Sequence, residues 1–242
     1  MKKKLFKIAV IALAVIFVFP TSVYGTDKKV AETDLSISID EEYWYVFTRD
    51  NLLNNPELWE VGITYNDIKT EFDEKNLYLY AISYYSDAER YIEIYVEKEN
   101  YDSKTNLSDI NNGKVEDLAD DISKRISGST PSTFFNKYKY AVVDYVLNGV
   151  TARSYVTIVN GDTYTITFQA PSEFLEDELA EIDEIVDSVS FDVKPSPEKT
   201  ARIIKKVVRL AFILVGSIVG TIVGKNKAKK KAEAKEADRQ NF

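Results

Sequence analysis

Apolar and polar positions alternate through much of the middle of the chain. Tyr164, Ile166 and Phe168 fall on one side while Thr163, Thr165, Thr167 and Gln169 fall on the other, the period-two pattern of a half-buried strand. Ile92, Ile94 and Val96 alternate in the same way with Tyr91, Glu93, Tyr95 and Glu97, so a wet or thinly covered sheet face is expected there. Asn148-Gly149 and Asn160-Gly161 sit between such runs, and Asn-Gly readily takes the two positive φ values of a type I′ turn. Residues 138–170 therefore predict a three-strand antiparallel meander. Further strands are expected at 35–39, 43–48, 77–83 and 91–96, with a short final one at 189–193.

Elsewhere the apolar period lengthens to that of a helix. Val115, Leu118, Ala119, Ile122 and Ile126 share one face, predicting a helix over 115–126. Leu175, Leu179, Ile182 and Val186 do the same over 173–186, and a shorter helix fits 65–72. These elements compose one α+β domain over residues 26–194: an antiparallel sheet of about six to seven strands flanked by helices.

Two longer apolar runs lie outside that domain. Residues 1–25 combine Lys2, Lys3, Lys4 and Lys7, an apolar stretch from Ile8 to Phe19, Pro20, and small residues at a cleavage position, the pattern of a secretory signal peptide. Its 12 apolar residues cover only about 18 Å as a helix, short of a bilayer core of roughly 30 Å. Near the other end, residues 207–224 form an apolar run of about 27 Å, enough to span when Arg209 extends its charge outward. Ser196-Pro197-Glu198 supplies a helix start in the stalk 195–206. Lys225, Lys227, Lys229, Lys230 and Lys231 open a basic tail, 225–242, that favours the cytoplasmic side. The expected arrangement is a single-pass protein of the cell membrane, with the α+β domain outside and the tail inside. A helix lying in the interface is the rival arrangement, but residues 210–224 offer little polar face beyond Ser217 and Thr221. Wall attachment by a sortase-type signal is excluded, because Ser196-Pro197-Glu198-Lys199-Thr200-Ala201 departs from that motif in spacing and lacks its glycine.

Inside the spanning run Gly216, Gly220 and Gly224 recur every four residues, with Ser217 and Thr221 beside them. Small residues on one ridge let a second helix backbone approach closely, which makes these five the candidate helix-pairing residues. Glycine is also frequent in membrane helices that pair with nothing.

Charge sharpens the division. Residues 26–198 carry 36 acids against 15 bases, and residues 199–242 carry 12 bases against 3 acids. An acidic domain repels polyanions, so nucleic acid is not an expected partner. The expected partners are membrane lipid and a membrane-helix or envelope protein. The 242-residue chain contains no Cys and no His, which removes disulfides, thiolate chemistry and the commonest general base and metal ligand.

What chemistry is left is sparse. Ser196 and Lys199 match the spacing of a serine nucleophile and its lysine base, but in the stalk Ser196 is better read as a helix cap. The stretch 109–113 resembles a calcium loop whose glycine is one position early and whose twelfth-position glutamate is missing, and it reads as a turn opening a helix. Glu116, Asp117, Asp120 and Asp121, and again Glu173, Glu176, Asp177, Glu178, Glu181, Asp183 and Glu184, read as solvated helix faces. No catalytic residue, cofactor site or metal site is therefore expected. Tyr43, Trp44, Tyr78, Tyr80, Tyr91 and Tyr95 are the candidate ligand-face residues, since their flat rings with polar edges suit sugars or peptide. Tyrosine is also an ordinary sheet-forming residue, and core and cross-strand packing is the commoner use of such a set.

Two passages carry a family resemblance. The string 164–171, YTITFQAP, followed by an acidic helix and by Ile185-Val186-Asp187-Ser188-Val189-Ser190-Phe191, resembles the C-terminal half of the PsbP-like fold, as exported by Gram-positive, clostridia-like bacteria. Residues 55–62, then 63–72 and 76–82, are similar to the earlier part of such proteins. The resemblance covers most of 35–193 and implies a non-enzymatic binding or assembly module. Alternatives from other classes are an envelope hydrolase working with carboxylates alone and a structural subunit that associates through its membrane helix.

Overall fold

The computed structural model describes residues 26–53, 55–84, 90–100 and 105–193. The signal peptide, the stalk, the membrane helix with Gly216, Ser217, Gly220, Thr221 and Gly224, and the basic tail lie outside the described residues. No helix among the described residues is long and apolar enough to cross a membrane.

The described chain is α+β. In order it runs β1 (Thr26–Lys29), β2 (Leu35–Ile39), β3 (Tyr45–Thr48), α1 (Glu57–Glu60), α2 (Tyr65–Glu74), β4 (Leu77–Tyr84), β5 (Tyr91–Glu99) and a 3₁₀ turn (Leu107–Asp109). Then follow α3 (Asn112–Ser123), β6 (Thr130–Phe135), β7 (Lys139–Leu147), β8 (Val150–Val159), β9 (Asp162–Ala170), α4 (Glu176–Ser188) and β10 (Ser190–Phe191). Seven strands form one antiparallel sheet in the order β3-β4-β5-β9-β8-β7-β6, and a smaller sheet has the order β1-β2-β10.

The meander is built by its two Asn-Gly turns. Asn148 and Gly149 take φ of 55° and 83°, and Asn160 and Gly161 take 55° and 87°. With two residues per turn the register is set, and the β-branched and aromatic alternation of β7, β8 and β9 falls on consistent faces.

The sheet has a different core on each face. On the first face Ile94, Val96, Ile166, Phe168, Tyr155 and Tyr140 meet Ile182, Ile185 and Val186 of α4, together with Leu35, Ile37 and Ile39 of β2. Phe191 of β10 closes this layer, its backbone N–H donating to the Tyr138 hydroxyl at 2.8 Å. The second face carries two separate apolar clusters. Val115, Leu118 and Ile122 of α3 cover Ala141, Val143 and Val156 at one side, while Ile68 and Phe72 of α2 cover Phe47, Tyr80 and Ile82 at the other.

Between those two clusters runs a polar seam on β5 and β9. Glu97, Thr163, Thr165, Thr167 and Gln169 are all fully buried there. The expectation of a wet sheet face is therefore corrected. Alternation reports that the two faces differ in polarity, and a polar interior seam produces the same pattern as exposure to water.

Two further corrections concern elements. Residues 130–135, with Pro131, form edge strand β6, and residues 26–29 form β1, so the described strands number ten in two sheets. The closing strand is also shorter than the predicted 189–193, being Ser190–Phe191 alone.

Candidate functional site

A concavity among the described residues lies where the chain enters β3. Asp40 opens it: the N–H groups of Tyr43 and Trp44 donate to the Asp40 carbonyl at 3.1 and 3.0 Å, and the Glu42 N–H donates to Asp40 Oδ1 at 3.0 Å. This tight turn throws Tyr43 outward, 63% exposed, and turns Trp44 inward, 4% exposed. The indole N–H of Trp44 donates to Glu181 Oε1 at 2.9 Å, which anchors the turn to α4.

From that turn a cleft of about 580 Å³ extends toward α1. Tyr43, Trp44, Tyr45 and Tyr84 form its aromatic wall, and Glu42 and Glu57 line it without an ion pair among the described residues. Lys28 also lines it but is already bound to Glu41 at 2.5 Å. Asn51 and Asn55 contribute to the frame instead: Asn51 bridges the Thr48 N–H and the Val46 carbonyl, and Asn55 caps Glu57. The Tyr45 hydroxyl donates to Glu60 at 3.1 Å, and that bond to a carboxylate raises its pKa. The cleft thus offers flat aromatic surface and uncompensated negative charge, a combination that takes ammonium-bearing or neutral groups and repels anions.

Of the six residues read from the sequence as a ligand face, this cleft gathers Tyr43 and Trp44. Tyr80 and Tyr95 are buried, their hydroxyls donating to Glu93 Oε1 and Oε2 at 2.8 and 2.9 Å, with ring centroids 5.2 Å apart. Burial and the Glu93 carboxylate push both phenols well above the ordinary tyrosine range. Tyr91 packs on Tyr84 at the edge of that cluster. Tyr78 occupies an irregularity in the pairing of β4 with β5, and its ring lies 4.4 Å beneath the Arg49 guanidinium. Arg49 in turn donates to the carbonyls of Leu77 and Phe72, so Tyr78 helps to join α2 to β4.

The acidic helix faces divide in the same manner. Glu116, Asp117, Asp120 and Asp121 on α3 are exposed, as are Glu173, Glu176, Asp177 and Glu184. Glu178, Glu181 and Asp183 instead turn inward, which corrects the reading of that helix as a uniformly solvated acidic face. Glu181 holds Trp44, Asp183 accepts from the Tyr155 hydroxyl at 2.8 Å, and Glu178 is 1% exposed against Arg90. Arg90 spans both Glu178 oxygens and also reaches Ser172 and the Glu173 carbonyl. Burial works to raise the Glu178 carboxyl, but Arg90 and the Leu175 N–H together hold it below the usual carboxylate value. No local pattern in the sequence links Arg90 with Glu178, which lie 88 positions apart. At 109–113 the structure has the helix-opening turn expected there, with the Asn111 side chain accepting from the Gly113 N–H at 2.8 Å.

Neither a scan against protein-family models nor a search of curated proteins returns a match.

Proposed function

We propose that the protein is a membrane-anchored, non-enzymatic binding module of the cell envelope. In this reading a PsbP-like domain, residues 26–194, stands outside the membrane, helix 207–224 holds it there, and the basic tail lies in the cytoplasm. The charge division along the chain and the two terminal apolar runs support the topology. The cleft between the Asp40 turn and α1 is the observation that carries the binding role.

Its chemistry points to an ammonium-bearing ligand, an amino-sugar polymer or a basic peptide. Glu42 and Glu57 meet the charge, and Tyr43 and Tyr84 lie against the sugar ring or the aliphatic stem. An anionic polymer would face the excess negative charge of the whole domain.

Titration of the full chain in detergent with glucosamine oligomers and with oligolysine tests this directly. Saturable binding should weaken about tenfold in Glu42→Lys and in Tyr43→Ala, each removing a contact of about 1–1.5 kcal/mol. Equal affinity in both variants, or equally tight binding of polygalacturonate, would overturn the reading. Protease treatment of intact cells should remove the domain and leave a C-terminal fragment; a fully protected domain would overturn the topology.

A further inference from the structure

Seven buried side-chain atoms lack a hydrogen-bond partner among the described residues, and six of them lie along the polar seam of β5 and β9, four at the Glu97–Thr163–Thr165 end and two on Gln169 at the rung of Glu93. They are both oxygens of Glu97, the hydroxyls of Thr163 and Thr165, and both amide atoms of Gln169. The seventh, the Tyr140 hydroxyl, belongs to the core of the opposite face. A buried polar group without a partner costs about 1–3 kcal/mol, so the four oxygens of Glu97, Thr163 and Thr165, which lie on neighbouring rungs of the ladder, call for a common partner.

The strand register says what kind of partner. Glu97 stands opposite Thr165, and Glu99 stands opposite Thr163. These four side chains occupy the corners of one rectangle of the ladder on one face, with directly opposed Cβ atoms about 4.5–5.5 Å apart. All four end in oxygen. Three are fully buried, and Glu99, half-buried, marks the side from which the group is reached. An ionised carboxylate only accepts hydrogen bonds and each hydroxyl offers a single donor, so once both glutamates are deprotonated these four side chains hold more acceptor sites than donors.

Among the described residues the positive charge acting on Glu97 is committed elsewhere: Lys75, 7% exposed, is ion-paired with Glu71. Neighbouring Ser154 and Thr167 satisfy each other at 2.9 Å. Oxygen donors without nitrogen or sulfur suit a hard cation, whose positive charge would engage the corner oxygens together.

We propose that Glu97, Glu99, Thr163 and Thr165 form a site for a hard divalent cation of the calcium type. The two carboxylates supply the charge, the two hydroxyls supply neutral oxygens, and water completes the shell. No three carboxylates converge among the described residues, so the site belongs to the weak class, with dissociation constants of roughly 10⁻⁴–10⁻³ M. It uses no linear motif, because its ligands come from two strands separated by more than sixty positions in the chain.

Terbium luminescence excited through tyrosine tests the site on the full chain in detergent, with Ca²⁺ as competitor. A saturable signal should appear, be displaced by Ca²⁺ in the millimolar range and not by K⁺, and strengthen as pH rises because the ligands bind deprotonated. Glu97→Gln should weaken terbium about tenfold or more, Thr165→Val less, and Lys75→Met should tighten it by removing a nearby positive charge. Near-UV circular dichroism confirms that each variant is folded. Glu99→Gln, at the half-buried corner, gives the same test if Glu97→Gln fails to fold. Terbium that Ca²⁺ at about 10 mM does not displace, or that binds folded Glu97→Gln or Glu99→Gln as it binds the parent, would overturn the proposal. Binding of glucosamine oligomers should be unchanged in Glu97→Gln, which separates this site from the cleft.

Discussion

Arg90→Met should lower the unfolding free energy by about 3–5 kcal/mol, the scale of a buried ion pair broken from one side. Glu178 has no exposed side-chain surface, and Arg90 meets both of its oxygens while also holding Ser172 and the Glu173 carbonyl. Removing the guanidinium leaves a buried carboxylate with only the Leu175 N–H at 2.7 Å and its own helix end for company. The double variant Arg90→Met, Glu178→Leu should recover most of the loss, since replacing both charges by apolar groups of similar volume is often neutral. Urea unfolding of the three proteins measures this; a single variant within about 1 kcal/mol of the parent would show the pair to be dispensable. The pH response has a definite sign. Because the folded-state value of Glu178 is held below its unfolded value, its contribution is fully present above the unfolded value and fades as pH falls through the folded one. That part of the acid response should vanish in Arg90→Met.

In metal-free buffer Glu97 should act in the opposite direction. Burial pushes its carboxyl up to about 8, against the pull of Lys75 and with Glu99 adding to the rise. The folded state therefore holds this proton more tightly than the unfolded chain does. Stability is greatest below the unfolded value near 4.5 and falls as pH climbs toward about 8. The slope is about 1.4 kcal/mol per pH unit, so several kcal/mol are at stake across the window. Glu97→Gln should flatten that slope, leaving a protein more stable than the parent at neutral pH when chelator is present. Thermal unfolding at pH 5, 6, 7 and 8 in chelator decides the matter, and parallel curves for parent and variant would contradict it. Adding Ca²⁺ should reduce the slope in the parent alone.

The elements that the sequence displayed most openly are those with a local cause. The two Asn-Gly pairs turn the chain without reference to anything distant, and Ile68, Phe72, Val115, Leu118 and Ile122 mark helix faces by spacing alone. The strands that escaped notice depend on tertiary pairing. In β6, Pro131 and Ser132 weaken the strand pattern, yet the segment pairs along β7 as an edge strand, where proline is tolerated. In β1, Thr26–Lys29 is a polar segment that becomes a strand only because β2 lies beside it. The candidate site was legible in part for the same reason. Tyr43 and Trp44 stand out as an aromatic pair near a turn, but which tyrosines reach solvent depends on α1 and α2, whose coverage of β3–β5 no period reveals. The polar seam was visible as threonines and glutamates alternating with apolar residues, and its burial follows from the two clusters on either side.

The small sheet imposes an order on events. Its central strand β2 is flanked by β1 from the start of the domain and by β10 from its end, with Leu35 opposite Phe191. The first-face core includes both residues, and the Phe191 ring stands 4.9 Å from Tyr138 and 4.8 Å from Tyr164. A chain that emerges from its N-terminus can therefore form the meander early, yet cannot complete this layer until its final strand has arrived. Until then β2 presents one open edge and Tyr138 and Tyr164 lack their lid. A nascent domain of this design is complete only when its last dozen residues are free to fold back on its first.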